Sequence, residues 1–163
     1  MTFYKDGIIS IPNVTGDVVI TATAVAQAPI YTNLITTSID TNGNIYNGTG
    51  YKDGYRLNSS GNETVQEKCI ISGFISAVKG DTIRVKSANN LSAGIGNYVI
   101  EYDTNFSILS AHPLSASNVT GDIGKVVLNN NSCAYVRVSV YDADATKIAR
   151  FCCTKNEEIP SHS

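Results

Sequence analysis

Short runs of alternating apolar and polar residues dominate the second half of this chain. TIRVKS (82–87) and YVRVSVYD (135–142) alternate strictly, which indicates strands with one buried and one solvent-facing side. Similar runs separated by Gly, Asn and Asp follow one another after Glu67: KCIISGFISAV, GDTIRVKS, NYVIEYD, FSILSA, GKVVLN, AYVRVSVYD and KIARFCCT. This series predicts an all-β protein with very little helix, an antiparallel β-sandwich of jelly-roll-like form.

The N-terminal segment is predicted to form a β-hairpin arm. GIISIP (7–12) and VVITATAVA (18–26) have strand character, and the intervening NVTGD (13–17) has the Asn, Gly and Asp of a turn. The same pentapeptide recurs at 118–122, before IGKVVL, and no longer repeat surrounds it. We therefore interpret both copies as turns and not as a duplicated site.

Residues 35–67 are predicted to form a long loop-rich segment. They are saturated with Gly, Asn, Asp, Ser and Thr, and neither strand nor helix periodicity is sustained there. Regularly placed Ile, Leu and Tyr residues favour a structured loop packed over one end of the sheet. The chain is thus divided into an arm or repeat remnant (1–27), a sandwich domain (28–160) and a disordered tail (161–163).

Composition narrows the possible functions. Charged residues make up 16% of the chain and the formal net charge is −2, so the clustered Lys and Arg that bind nucleic acid are missing. No stretch approaches the roughly 18 apolar residues of a membrane-spanning helix. A surface rich in Asn, Thr and Ser, with 9 Tyr and no Trp, is typical of extracellular β proteins. We expect a virion or extracellular location, no nucleic-acid partner and no membrane insertion.

Catalytic chemistry is poorly represented in the sequence. His112 precedes a Pro and His162 lies near the C-terminus, and no G-x-S-x-G motif accompanies them. The spacing of the 14 Asp and Glu residues selects no pair of glycosidase carboxylates. We expect a protein that is not an enzyme and that uses no cofactor.

The four cysteines are Cys69, Cys133, Cys152 and Cys153. They form no CxxC pair and no Cys/His cluster, which argues against a zinc site. On a strand, the adjacent Cys152 and Cys153 would point to opposite faces. We interpret all four as small buried thiols, and a single bridge between Cys133 and Cys152 is the alternative.

One oxygen-rich spacing suggests a metal site. Asp40, Asn42 and Asn44 have the spacing that opens a calcium loop, but Ile45 and Tyr51 stand where that loop needs Gly and Glu. An Asx turn is therefore the favoured interpretation, and calcium binding is the alternative.

NIYNGTGYKDGYRLN (44–58) is the main candidate for recognition. It mixes tyrosine rings with amides and charges, which suits a sugar because rings cover its apolar C–H face and polar groups bind its hydroxyls. The candidate carbohydrate-binding residues are Tyr46, Asn47, Tyr51, Asp53, Tyr55 and Arg56. In the alternative, these tyrosines only pack the segment against the sheet.

Several phrases, taken in order, resemble modules of tail and baseplate-associated structural proteins of phages and prophages of Gram-positive and gut bacteria: ISIPNVTGDVVITATA, NLITTSIDTNGNIYNGTGYKDGYRLNSSG, SGFISAVKGDTIRVKS, IEYDTNF, YVRVSV and TKNEEI. The resemblance spans nearly the whole chain but transfers no binding motif. It implies a β-sandwich near the distal tail, used in assembly or in attachment to host-surface glycans. Residues 1–25 would then close a preceding small β repeat.

The leading hypothesis is a non-enzymatic phage tail or baseplate accessory module that binds host cell-surface carbohydrate. Other tail subunits are expected partners, and a homo-oligomer is the expected state. The first alternative is a purely structural assembly or spacer domain of a tail or virion protein, whose arm pairs with neighbouring subunits. The second alternative is a bacterial cell-surface adhesin module.

Overall fold

The structure is a computed structural model, and it describes residues 2–3, 9–10, 34, 37–38, 50–87, 91, 96–141 and 152–159. Within these residues the chain forms strands and turns, and no α-helix occurs. The strands are β1 (Thr2–Phe3), β2 (Ile9–Ser10), β3 (Thr37–Ser38), β4 (Gly50–Leu57), β5 (Glu63–Ser72), β6 (Ile75–Ser76), β7 (Thr82–Lys86), β8 (Tyr98–Tyr102), β9 (Ile108–Pro113), β10 (Val119–Thr120), β11 (Ile123–Val127), β12 (Tyr135–Tyr141) and β13 (Cys152–Lys155).

The strands form two main sheets. The small sheet has four strands in the order β10-β11-β7-β13. The large sheet has seven, in the order β3-β4-β5-β12-β8-β9, with β6 also pairing with β12. All of these pairs are antiparallel except the parallel pair of β3 and β4. Strands β1 and β2 form a separate antiparallel ladder.

The two main sheets pack face to face on one apolar core. Alternation along β7 directs Ile83 and Val85 into it, and alternation along β12 directs Val136, Val138 and Val140 into it from the other sheet. All five side chains are fully buried, and each stabilises the fold by about 1.5–3 kcal/mol through removal of apolar surface from water. The predicted all-β antiparallel sandwich is confirmed.

The strand predictions hold in detail where the structure describes them. Each of the seven runs predicted after Glu67 contains a strand. The second NVTGD is a turn, as predicted, because β10 and β11 pair directly across Gly121 and Asp122, and Gly121 has the positive φ of 61° that a two-residue hairpin turn needs. The first NVTGD lies outside the described residues, and so does the arm beyond the β1–β2 ladder.

The loop-rich segment is shorter than its composition suggests. Residues 50–57 form strand β4 despite their two Gly residues, because they pair antiparallel with the β-branched and apolar residues of β5. Pairing and burial decide strand formation more strongly than local composition does. Residues 37–38 and 63–67 also lie in strands, in β3 and β5, so the prediction of a loop is wrong there too. Residues 35–36 and 39–49 are outside the described part of the chain.

The β4–β5 hairpin bends back over the large sheet. Its register shifts between Asp53 and Tyr55, and Gly54 and Lys68 on the two strands have positive φ values of 76° and 62°. Such φ values and bulges bend a strand out of the sheet plane. We call residues 55–66 beyond this bend the hairpin flap.

The positions of four residues show that the hairpin folds back. Lys52 and Ser139 both pair with Ile71 and therefore share one row of the sheet. Leu57 is five residues beyond Lys52 and would lie about 17 Å from that row on a straight strand. Its backbone N–H instead donates to Ser139 Oγ at 3.1 Å, so the flap lies on the outer face of the large sheet, the face turned away from the small sheet.

The flap covers a second apolar core on this outer face. Leu57 from the flap packs with Ile71, Ile100 and Tyr102 of the sheet, and the first three are fully buried. The Tyr102 hydroxyl donates to the carbonyl of Gly61 at the flap's turn at 3.3 Å. Both faces of the large sheet are thus buried at its centre.

Leu57→Ala is expected to lower the free energy of unfolding by about 2–5 kcal/mol, because it leaves a cavity beneath the flap. Urea unfolding monitored by circular dichroism measures the change. Val65→Ala is the matched control in the same hairpin, since Val65 is 77% exposed, and it should change stability by less than about 0.5 kcal/mol. Equal effects of the two substitutions would show that the flap does not pack on the sheet.

Candidate functional site: an aromatic cluster beside the flap

Four aromatic rings gather on the outer face of the large sheet, next to the flap. Phe74 meets Tyr102, Phe106 and Tyr135 edge-on, at centroid distances of 5.0, 4.7 and 6.1 Å. Phe106 stacks on Tyr135 at 4.9 Å with an interplanar angle of 23°. Tyr102 is buried, whereas the other three are only partly buried. We call these four residues the aromatic cluster.

Strand register places the rings together. Tyr102 of β8 and Tyr135 of β12 are directly paired, and Tyr135 points outward because the next residue, Val136, points into the main core. Phe74 precedes Ile75, another main-core residue, and so points outward too. The cluster therefore stands on a rigid sheet.

Phe106 is held in a strained backbone conformation. Its φ is 61°, in the left-handed region that bulky residues rarely adopt and that costs about 1–3 kcal/mol. The turn is fixed by Asp103, whose side chain accepts from the backbone N–H groups of Asn105 and Ser107 at 2.8 and 2.9 Å. Ring contacts with Phe74 and Tyr135 offset the strain, so the fold maintains this ring position at a cost.

A network of charged groups borders the rings. Glu63 of the flap accepts from Lys52 at 2.8 Å and from Arg137 at 2.9 Å. Both cationic side chains are nearly buried. The guanidinium carbon of Arg137 lies 4.8 Å from the Phe74 ring centroid, and Lys52 Nζ lies 3.6 Å from that of Tyr55, both within the range of cation–π attraction.

The Glu63 carboxyl is electrostatically tuned by this network. Burial raises the pKa of Glu63, but the hydrogen bonds and charges of Lys52 and Arg137 together outweigh burial and hold the pKa below the ordinary 4.5. Glu63 is therefore an ionised hydrogen-bond acceptor beside aromatic rings at neutral pH, a combination that suits hydroxyl-rich ligands.

The sequence-predicted tyrosines do not form one surface. Tyr51 packs against the main core, whereas Tyr55 lies beyond the bend and packs against the second core. Asp53 is exposed and accepts from its neighbour Gly54 at 2.9 Å, and Arg56 donates to Thr64 across the flap at 3.2 Å. The remaining predicted residues lie outside the described residues: Tyr46 and Asn47 of the sugar site, and Asp40, Asn42 and Asn44 of the calcium alternative.

The cluster itself was missed by sequence reasoning, although part of its signal was present. The alternation in YVRVSVYD places Tyr135 and Arg137 on one face, opposite the valines. Phe74 and Phe106 carry no such signal, because each lies outside the regular strands and reaches the cluster through tertiary structure.

A different carboxylate, that of Glu101, is buried at the end of the main core. Glu101 is fully buried; its Oε1 lies 2.6 Å from His112 Nε2, and it accepts from the backbone N–H groups of Asn129 and Asn130 at 3.3 and 3.1 Å. Burial raises the pKa of Glu101, but these hydrogen bonds outweigh burial and lower it. The carboxylate thus fixes the loop between β11 and β12 to β8 and β9.

All four cysteines are buried thiols, as the sequence interpretation predicted. Burial, followed by the charge of Glu101, raises the pKa of Cys133 to about 11, and burial raises the pKa of Cys152 to about 11. Burial also raises the pKa of Cys153. A thiol that stays protonated is a poor nucleophile and a poor metal ligand.

In the described part of the chain, no group of three or more His, Cys, Asp or Glu residues is placed to hold a metal ion. The same residues include no helix that is long and apolar enough to span a membrane. Neither a protein-family model, nor a curated protein, nor a solved structure matches this chain. The class of this protein is defined by its own fold and site: it is an all-β sandwich with an aromatic cluster on one outer face.

Glu63→Gln is expected to destabilise the protein at about pH 7 by about 1–3 kcal/mol, because two charge-assisted hydrogen bonds are lost. A carboxyl whose pKa is lowered by folding stabilises the native state above its unfolded pKa, here near 4.5, and loses that effect as pH falls through the folded value. The difference between variant and wild type should thus shrink below about pH 4. Urea unfolding across this range tests it. Glu67→Gln, at an exposed position in the same strand, should show no such pH-dependent difference.

The native protein is expected to resist a thiol reagent such as DTNB at about pH 8, because buried thiols with raised pKa values supply little thiolate. Under denaturing conditions, all four cysteines should react. The absorbance of the thiolate that the reagent releases gives the number of cysteines that have reacted. Rapid reaction of one or more cysteines in the native state would show that they are not buried.

Proposed function

We propose that this protein is a non-enzymatic accessory module of a phage tail or baseplate that binds host cell-surface carbohydrate through the aromatic cluster. One observation carries the proposal: partly exposed Phe74, Phe106 and Tyr135 rings lie beside the ionised Glu63 and Arg137 on a rigid sheet. The phage context is supported by the sequence resemblance alone.

The chemistry of sugar recognition fits this surface. The partly exposed rings can cover the C–H face of a pyranose, and the carboxylate of Glu63, the more exposed member of its ion pair with Arg137, can accept from the sugar hydroxyls. The turn of the flap adds short polar side chains next to the cluster, since Ser59, Ser60 and Asn62 are exposed. No large rearrangement is needed, which keeps the entropic cost of binding low.

Weak individual sites suit such a module. A shallow surface of a few rings binds a sugar weakly, and several copies on one virion raise the overall affinity through effective concentration. A homo-oligomer, contacts with other tail subunits and a location on the virion follow from this role. A bacterial cell-surface adhesin module would use the same surface chemistry.

A purely structural role in assembly has one observation in its favour. Among the described residues, β9 pairs only with β8, so it forms an edge of the large sheet, and its Ile108 is 39% exposed. An open edge with exposed apolar side chains can pair with a neighbouring subunit.

Phe106→Asn is expected to abolish or weaken glycan binding at least tenfold, equivalent to about 1.4 kcal/mol, because it removes the strained ring. The fold should persist, since Asn tolerates a positive φ better than Phe does. Binding is measured on an array of bacterial cell-wall and capsular glycans, followed by calorimetry on the best-binding glycan. Tyr141→Asn is the matched control, because Tyr141 is 39% exposed on the same sheet and lies outside the cluster.

Light scattering on the same samples separates the two roles. Specific binding lost only in the Phe106 variant supports recognition. Absence of binding to every glycan, together with association that depends on protein concentration, would replace recognition by assembly.

A further inference from the structure

An open cleft of about 330 Å³ lies on the outer face of the small sheet. Its lining comprises Arg84, Thr120, Ile123, Lys125, Glu158 and Ile159. The volume falls at the lower end of the roughly 300–1,000 Å³ typical of small-molecule sites. The cleft faces away from the main core, because Arg84 lies between the inward-pointing Ile83 and Val85 on β7.

Two cations are placed side by side in this cleft. Arg84 of β7 and Lys125 of β11 are directly paired across the ladder. Side chains at directly opposed positions are close neighbours, and like charges there destabilise a sheet. Arg84 is nearly buried whereas Lys125 is exposed. The pair therefore makes the cleft positively charged, and Lys125 is the cation that solvent reaches.

The positive charge of Arg84 is paired with the carboxylate of Glu158 from the same chain. Arg84 donates through Nη2 to the Glu158 carboxylate and through Nη1 to the Glu157 carbonyl at 3.2 Å. Thr154 Oγ1 donates to the same carbonyl at 2.8 Å. The Glu157 carbonyl belongs to the backbone and is fixed by these two bonds. The Glu158 side chain, in contrast, is 78% exposed and is bound to Arg84 only through its carboxylate.

Only the Glu158 side of this ion pair is solvent-exposed, whereas the Arg84 side chain is nearly buried, so Arg84 needs an anionic partner. A carboxylate from a ligand would take the place of the Glu158 carboxylate at Arg84 Nη2, with Lys125 beside it. Arginine binds a carboxylate through two parallel hydrogen bonds. Ile123 and Ile159 add apolar contacts, and Thr120 adds a hydroxyl, which together match the ring of a small acidic sugar.

We propose that this cleft is a second binding site, specific for the carboxylate of an acidic sugar, and that Glu158 occupies it as an internal competitor. It goes beyond the function proposed above, because it lies on the opposite outer face of the sandwich and uses charge where the aromatic cluster uses rings. Each site is tested without the other.

In the experiment, the full chain is titrated with glucuronate at constant ionic strength, and binding is monitored by the backbone amide shifts in NMR spectra. Glu158→Gln should tighten binding about tenfold by removing the competing carboxylate, and Lys125→Gln should weaken it by a similar factor. Lys79→Gln is the charge-matched control, because Lys79 is exposed and bonds to Asn131 away from the cleft. The amide shifts of Ile123 and Lys125 report binding in the cleft, separately from any shifts at the aromatic cluster.

Three outcomes would overturn the proposal. The neutral methyl ester of glucuronate could bind as well as glucuronate, which would remove the role of charge. Acetate or inorganic phosphate could bind as tightly as glucuronate, which would make the cleft a general anion site. Glu158→Gln could leave the affinity unchanged, which would show that Glu158 does not compete for the cleft.

Discussion

The position of the flap on the large sheet depends on the hydrogen-bonded ion pairs that the Glu63 carboxylate forms. This carboxylate accepts from Lys52 and Arg137, two nearly buried cations that belong to different strands of the large sheet, while Glu63 itself belongs to the flap. A two-stranded hairpin is marginal on its own in water. The flap keeps its position because these bonds fix it and because Leu57 fills the space beneath it.

This arrangement gives the two outer faces of the sandwich different chemistry. The large sheet carries a second apolar core and the aromatic cluster, so its outer face offers rings and one ionised carboxylate. The small sheet carries Arg84 and Lys125 in a cleft. The two outer faces therefore present different chemical groups to solvent, and the packed main core between the sheets keeps these faces at a fixed separation.

Local patterning predicted the strands but not their bending. The alternation in TIRVKS and YVRVSVYD was sufficient because each strand has one face in the main core, and the second NVTGD was recognisable from turn chemistry alone. The flap was not predictable, since its decisive contact joins Leu57 to Ser139, 82 residues away. The candidate site depends on the same long-range geometry, which brings Phe74 and Phe106 to Tyr135 although no local periodicity connects them.

The buried thiols determine the redox conditions under which this protein can fold. Because Cys69, Cys133, Cys152 and Cys153 serve as packing residues and not as crosslinks, the native state needs no oxidant and no disulfide isomerase to form. Folding can finish in the reducing interior of the cell that synthesises the chain. The fold also does not depend on the redox state of its surroundings, since burial keeps the sulfur atoms away from oxidants.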